Sequence, residues 1–174
     1  GGDDVSVGQA PYVARVKIKT PEGAFQCTGT LVSQDWVLSA AHCFFSNKKR
    51  RSTSDVEVSF ENSPTPLAIE AHQVITHPDY LTNGPLYDLA LIRLKLPVFD
   101  IDPIQIISPT AVVPAGTVAQ LYGYGYVVGY RRLEVVENRL ADNLQTILLN
   151  TIERETAIDW IAMKAVHGEE IFDP

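Results

Sequence analysis

The feature that most constrains the fold is a series of short apolar segments separated by turn residues. Val56, Val58 and Phe60 alternate with polar residues, which is the pattern of a half-buried strand. Because helical periodicity does not dominate, the sequence predicts an all-β or β-rich protein. Similar segments cover Val13–Thr20, Phe25–Val32, Trp36–Ala41, Leu67–Ile75, Leu89–Leu94 and Thr117–Leu121.

A proline-rich stretch divides the chain into two halves. Pro97–Pro114 contains four prolines and little periodicity, which is typical of a connector. Strand-like segments precede and follow it, and this order favours two small β-barrels in series. We therefore predict a first barrel over residues 1–100, a connector over 101–116 and a partial second barrel over 117–174.

The carboxyl-terminal region allows two interpretations. Residues 133–149 carry apolar side chains at near-helical spacing, so that taken alone they could form an amphipathic helix. A strand over Leu144–Ile152 is the alternative. Residues 153–166 contain good helix formers with apolar residues on one face, and Gly168 follows them, which predicts a short helix.

The charge and hydropathy of the chain exclude two function classes. With 14 basic and 21 acidic residues the net charge is −7, and we expect no nucleic-acid partner. No apolar run reaches the roughly 18 residues that a membrane-spanning helix needs, so no membrane partner is expected. No secretory signal precedes Gly1, so that we expect it to have been removed, or the chain to begin after a processing site. The basic run Lys48–Arg51 predicts a solvated loop, with an exosite for an acidic partner or an autolysis site as sharper alternatives.

The segment Gly29–Cys43 carries the most specific signal. It reads Gly-Thr-Leu-Val-Ser-Gln-Asp-Trp-Val-Leu-Ser-Ala-Ala-His-Cys. It resembles the segment around the catalytic histidine of trypsin-like serine proteases, a Gly-Gly-x-Leu hairpin followed by Trp-Val-Leu-Thr-Ala-Ala-His-Cys. Thr28 replaces the first glycine and Ser39 replaces the threonine. The resemblance implies that His42 is the catalytic base and that the fold is chymotrypsin-like, with two six-stranded antiparallel barrels.

A second box follows His42 by 46 positions. Tyr87–Leu94 reads Tyr-Asp-Leu-Ala-Leu-Ile-Arg-Leu and resembles the family's Asp-Ile-Ala-Leu-Ile-x-Leu box, which holds the catalytic aspartate. The resemblance therefore implies that Asp88 is that aspartate. The chemistry agrees, because imidazole is suited to act as a base near neutral pH and a buried carboxylate fixes its tautomer.

The two cysteines, Cys27 and Cys43, are sixteen positions apart. Their spacing alone leaves open whether they are bridged. The family resemblance implies a disulfide between them, and a disulfide implies an oxidising, extracellular compartment.

Weaker matches lie at the start of the chain and in its second half. Gly1-Gly2 and Gly8–Tyr12 resemble the mature amino terminus of the family without the hydrophobic pair that zymogen cleavage frees. Gly123–Gly125 stands where the family has Gly-Trp-Gly, and Arg154-Glu155 resembles its Arg-Glu-x-Cys stretch. The resemblance to Leu-Gln-x at Leu144 favours the strand over the helix there.

The family's nucleophile lies in a Gly-Asp-Ser-Gly-Gly box, and no serine of this chain has that context. We therefore expect the nucleophile, the oxyanion hole and the specificity pocket to come from a companion chain or from sequence after Pro174. The resemblance then implies a secreted serine endopeptidase acting on proteins or peptides, with protein inhibitors as further partners and no cofactor.

Two readings without catalysis remain open. One is a protease-like binding or regulatory protein that has lost its nucleophile, and the other is a separate interaction module over residues 133–166. The remaining histidines, His72, His77 and His167, are interpreted as surface residues. Glu61 and Glu70 flank a loop where some family members bind calcium, but the set is too sparse to imply a metal.

Overall fold

The computed structural model describes residues 2–20, 23–46, 49–50, 55–80, 87–131, 134–153 and 155–157. For residues 46, 49–50, 126–131 and 134–139 it describes the backbone alone. These residues form an all-β structure, as predicted. In chain order the strands are β1 (Asp3–Asp4), β2 (Val13–Thr20), β3 (Gly23–Ser33), β4 (Trp36–Ser39), β5 (Phe45–Ser46), β6 (Lys49–Arg50), β7 (Val56–Phe60), β8 (Leu67–Thr76), β9 (Ala90–Leu94), β10 (Val118–Gly123), β11 (Tyr126–Arg131), β12 (Glu134–Leu140) and β13 (Gln145–Asn150).

Six strands close into an antiparallel barrel in the order β2-β3-β4-β9-β8-β7. On one side of β2, Val13 lies opposite Thr30 of β3, and on the other side Val16 lies opposite Val58 of β7. Closure leaves no strand edge unpaired, so the barrel is a rigid support for the loops at its ends.

The period-two pattern of the sequence fills this barrel. Val16 and Ile18 of β2 are fully buried, whereas the intervening Lys17 is partly exposed. Val58 and Phe60 of β7 are likewise fully buried. Alternate side chains of each strand therefore form one apolar core, as the alternation in the sequence predicts.

Gly29 marks a close approach between barrel strands. A Cβ atom at this position would lie 2.6 Å from Cγ1 of Val37 and 3.1 Å from Cγ2 of Val16. No side chain fits in that space without displacement of its neighbours, so the position requires glycine.

The strands outside the barrel form a sheet in the order β1-β13-β10 and a hairpin of β11 with β12. The helical interpretation of residues 133–149 is therefore wrong, and the strand alternative is correct. The apolar residues of this region do not form one buried stripe, because Ile147, Leu148 and Leu149 are all at least 41% exposed. Pairing with β1 and β11 instead satisfies the backbone.

The chain divides into two compact units. One comprises residues 1–106 and 122–147, and it contains the barrel. Within it, a second apolar cluster joins Val5, Ala10 and Val13 to Tyr124 and Leu144. The predicted boundaries at 100, 116 and 117 stay a prediction.

The other unit comprises residues 107–121 and 148–174. Within it, the backbone N–H of Gly116 donates to the carbonyl of Thr151 at 2.7 Å, and the N–H of Thr151 donates to the carbonyl of Thr117 at 2.9 Å. Residues 155–157 are helical, and residues 158–166 of the predicted helix lie outside the described residues. In the described part of the chain, no helical segment has the length and apolarity needed to cross a bilayer.

Candidate functional site

His42 lies at the end of the barrel, three residues after β4. It begins a 3₁₀ turn, His42–Phe44, in which the N–H of Phe44 donates to the carbonyl of Ala41 at 3.0 Å. Ala41 and Phe44 are at most 1% exposed, whereas the His42 side chain is 49% exposed. The buried neighbours on both sides fix the backbone of His42 and leave its imidazole at the surface.

Asp88 contacts His42 through both carboxylate oxygens. Its Oδ2 lies 2.7 Å from Nδ1 of His42, and its Oδ1 accepts the backbone N–H of the same residue at 2.8 Å. The Asp88 side chain is 22% exposed, less than its partner. Because a carboxylate can only accept, Nδ1 of His42 carries a proton, and Nε2 of the neutral ring keeps its lone pair. Nε2 lies 3.5 Å from Sγ of Cys43, a disulfide sulfur that has no proton to donate, so this nitrogen can accept a proton.

The register of the barrel brings these two residues together. Ser39 and Ala90 lie opposite each other in the pairing of β4 with β9, so that His42 follows one strand and Asp88 precedes its neighbour. The two sequence boxes, 46 positions apart, therefore meet at one end of one strand pair.

A disulfide joins Cys27 to Cys43, as the resemblance implies, with a Cα–Cα distance of 6.4 Å. It ties the turn that carries His42 to β3. Ligand atoms of Cys27, His42 and Cys43 lie within 4.8 Å of one another, which is a spacing suited to a metal ion. Both sulfurs are consumed by the disulfide, however, and offer no thiolate, so this group does not fit a metal.

The carboxylates considered for calcium are paired with basic side chains. Glu61 lies 2.8 Å from Nη2 of Arg15 and 3.5 Å from Nζ of Lys17. Glu70 forms an ion pair with Lys95, which lowers the pKa of Glu70 through the hydrogen bond and the charge of the ammonium. Cations of the protein therefore already neutralise both groups.

The predicted Gly123–Gly125 segment packs directly on the barrel. Tyr124 donates its backbone N–H to the Thr28 hydroxyl at 2.9 Å and accepts the Gln26 side-chain amide at its carbonyl, at 2.6 Å. The Ser39 hydroxyl donates to the Thr28 carbonyl at 2.9 Å. The two departures from the family pattern, at positions 28 and 39, are thus bonded to each other.

Three aromatic or imidazole side chains near Asp88 were not singled out as site residues by the sequence. Tyr80 packs on Phe45 with ring centres 5.4 Å apart, and burial together with the charge of Asp88 raises the pKa of Tyr80. Tyr87, directly before Asp88, stacks on His77. The only sequence signal was the position of Tyr87 beside Asp88. The basic run at 48–51 carries no described side chains, and Lys48 and Arg51 lie outside the described residues.

Comparison with known proteins gives a family match over nearly the whole chain. The family model described as Trypsin matches residues 1–169. A solved structure described as "Structure of GrC" superposes with a TM-score of 0.73 at 23% identity, covering 92% of this chain and 68% of that one. At this identity the structural likeness shows the chymotrypsin-like fold alone.

Several curated relatives are proteases or protease-related factors by name. The chain is 33% identical over 146 residues to "Phenoloxidase-activating factor 3" of Holotrichia diomphalia, covering 72% of this chain and 42% of the relative. It is 25% identical over 174 residues to "Trypsin theta" of Drosophila melanogaster, covering 99% and 62%. It is 29% identical over 130 residues to "Vitellin-degrading protease" of Bombyx mori, covering 73% and 48%. The chain therefore spans about half the length of these relatives.

Proposed function

Because the chain belongs to the trypsin family, we propose that it supplies the base and the orienting acid of a secreted serine endopeptidase. His42 is the general base and then the general acid, and Asp88 orients it. The serine nucleophile, the oxyanion donors and the specificity pocket come from sequence outside this chain, in the same protein or in a companion chain. The substrates are proteins or peptides, and protein inhibitors are further partners.

The observation that carries this proposal is the double contact of Asp88 with His42, at 2.7 Å and 2.8 Å. An ordinary surface ion pair would leave one of the two side chains free to rotate. Here the imidazole and the backbone N–H of one residue hold both oxygens of the carboxylate, so the ring orientation and the tautomer are set together.

In the proposed reaction, Nε2 of His42 removes the proton of the serine hydroxyl as its oxygen attacks the carbonyl carbon of the substrate. Asp88 stabilises the imidazolium that forms. When the tetrahedral intermediate collapses, the C–N bond breaks and the Nε2 proton passes to the leaving amine. Water then attacks the acyl-enzyme, gives its proton to His42, and the serine hydroxyl is restored with release of the acid.

Two further observations support the cellular setting and the substrate class. The Cys27–Cys43 disulfide is of the kind that persists in oxidising compartments, which supports secretion. The Bombyx mori relative is named for the degradation of a protein, which supports protein substrates as a class.

The full-length gene product, folded and proteolytically processed, tests the proposal by labelling with a serine-directed fluorophosphonate. We expect wild-type protein to be labelled and His42→Ala to lose the label. His72→Ala is the matched control, because His72 is an exposed histidine on β8. Absence of labelling in processed, folded wild-type protein would favour the inactive, protease-like binding protein instead.

A further inference from the structure

We infer that Tyr87 and His77 form a positioning pair that holds Asp88 against His42. The inference rests on the proposed function and deepens it, because it assigns a role to two residues that do not themselves touch the reacting atoms. It is carried by the backbone conformation of Tyr87, by its ring contact, and by the hydrogen bonds on either side of Asp88.

Tyr87 has an unfavourable backbone conformation. Its φ is 62°, the only positive φ of a non-glycine residue in the described part of the chain. For a bulky side chain this region is strained, and such strain persists only where the surrounding structure imposes it. The orientation of Asp88, the next residue, thus depends on a backbone conformation that a tyrosine rarely adopts.

The strained residue is held by its ring. The Tyr87 ring lies on the imidazole of His77 with centres 4.6 Å apart and planes 13° apart, a stacked arrangement. Nδ1 of His77 in turn accepts the backbone N–H of Asp79 at 3.2 Å, which fixes the imidazole plane. The Tyr87 side chain is 47% exposed, so about half of its surface is covered, and the stack on His77 is a ring contact that contributes to this cover.

His77 also holds the residue on the other side of Asp88. Its backbone N–H donates to the carbonyl of Leu89 at 2.9 Å, and the N–H of Leu89 donates to the carbonyl of Tyr87 at 2.7 Å. Asp88 is therefore the central residue of a tight turn, with both of its neighbours attached to His77. That turn presents the carboxylate to Nδ1 and to the backbone N–H of His42.

The pair acts through Asp88, so its loss should alter the orientation of His42 before it alters global stability. Alanine at position 87 keeps the strain of a Cβ atom but removes the stacked ring. Phenylalanine restores the ring without the hydroxyl. Alanine at position 77 removes the other ring of the stack.

The test uses full-length, processed protein with two readouts: the rate of fluorophosphonate labelling, and the low-field proton signal of the hydrogen-bonded Nδ1–H of His42. We expect Tyr87→Ala and His77→Ala each to slow labelling by about tenfold and to weaken the signal, while the urea midpoint stays near that of wild type. The double variant should be no slower than either single one, and Tyr87→Phe should recover both readouts. Phe99→Ala is the control, because Phe99 is a 70% exposed ring outside the site.

The two readouts separate this inference from the proposed function. If wild-type protein is never labelled, the endopeptidase proposal fails, and the proton signal still tests the positioning pair. If Tyr87→Ala leaves the low-field signal as intense as in wild type, the positioning pair is overturned whatever the labelling shows. Loss of signal in proportion to lost stability would overturn it as well.

Discussion

The guanidinium of Arg15 lies over the ring of Tyr124, 4.4 Å from its centre, inside the unit that contains the barrel. Arg15 also donates to the carbonyl of Asp142 at 2.6 Å, and Tyr124 is only 2% exposed. A buried cation on an aromatic face joins the strand β2 to the segment after β10. This contact has a measurable pH signature.

Burial raises the pKa of Tyr124 from 10.0 to about 12, with a further increase from Glu61 that the charge of Arg15 opposes. The folded protein holds the phenol proton more tightly than the unfolded chain does. The contribution to stability is therefore complete below pH 10 and is lost as the pH rises through 12, to the extent of about 2–3 kcal/mol.

We expect Tyr124→Phe to reduce this loss of stability at high pH. Urea unfolding of the full-length protein is measured at intervals of about one pH unit from pH 8 to pH 12. The free energy of unfolding should decline less for the variant than for wild type over this range. At neutral pH the variant should be at least as stable as wild type, because the buried Tyr124 hydroxyl has no hydrogen-bond partner among the described residues and its removal relieves a desolvation cost. Parallel curves would show that Tyr124 does not titrate differently on unfolding.

The close approach at Gly29 predicts a destabilised variant. In Gly29→Ala the new methyl group would lie 2.6 Å from Cγ1 of Val37, inside a closed barrel, and we expect unfolding to become easier by about 1–3 kcal/mol. Gly125→Ala is the matched control, since a Cβ atom there meets nothing within 4 Å among the described residues. Equal urea midpoints for the two variants would contradict the packing argument.

The disulfide between Cys27 and Cys43 predicts a second stability effect. It closes a loop of sixteen positions, and its removal by Cys27→Ala with Cys43→Ala should lower the free energy of unfolding by about 3 kcal/mol in the chain-entropy account. Urea unfolding with and without reductant gives the comparison. Reductant should destabilise the wild type more than it destabilises the double variant, and an equal effect on both would contradict the account.

Much of the barrel could be predicted because its strands are locally encoded. The period-two alternation around Val58 defined β7, and Val13–Thr20 was predicted with the bounds that β2 has. The region 133–149 could not be settled in this way, because its apolar residues stand at near-helical spacing although the region forms strands. The family resemblance, rather than the pattern itself, favoured the strand there.

In the candidate site, too, the features encoded by local motifs could be predicted and those that arise from tertiary contacts could not. His42 and Asp88 were predicted from two local boxes, and the structure brings them within 2.7 Å. The stack of Tyr87 on His77 joins residues ten positions apart across two segments, and no local pattern encodes it. A positive φ at a tyrosine is likewise imposed by tertiary contacts, so the sequence gives no sign of it.

The most direct test of the central claim is the rate of fluorophosphonate labelling of full-length, processed Asp88→Asn protein. The amide would present an N–H to His42, favour the wrong tautomer and leave Nε2 protonated, so we expect a fall on the order of 10⁴-fold with the fold intact. Asp35→Asn is the control, because Asp35 is a 39% exposed carboxylate that pairs with Arg93 on the barrel surface. A rate for Asp88→Asn within about threefold of wild type, with His42→Ala inactive, would show that Asp88 does not orient the base.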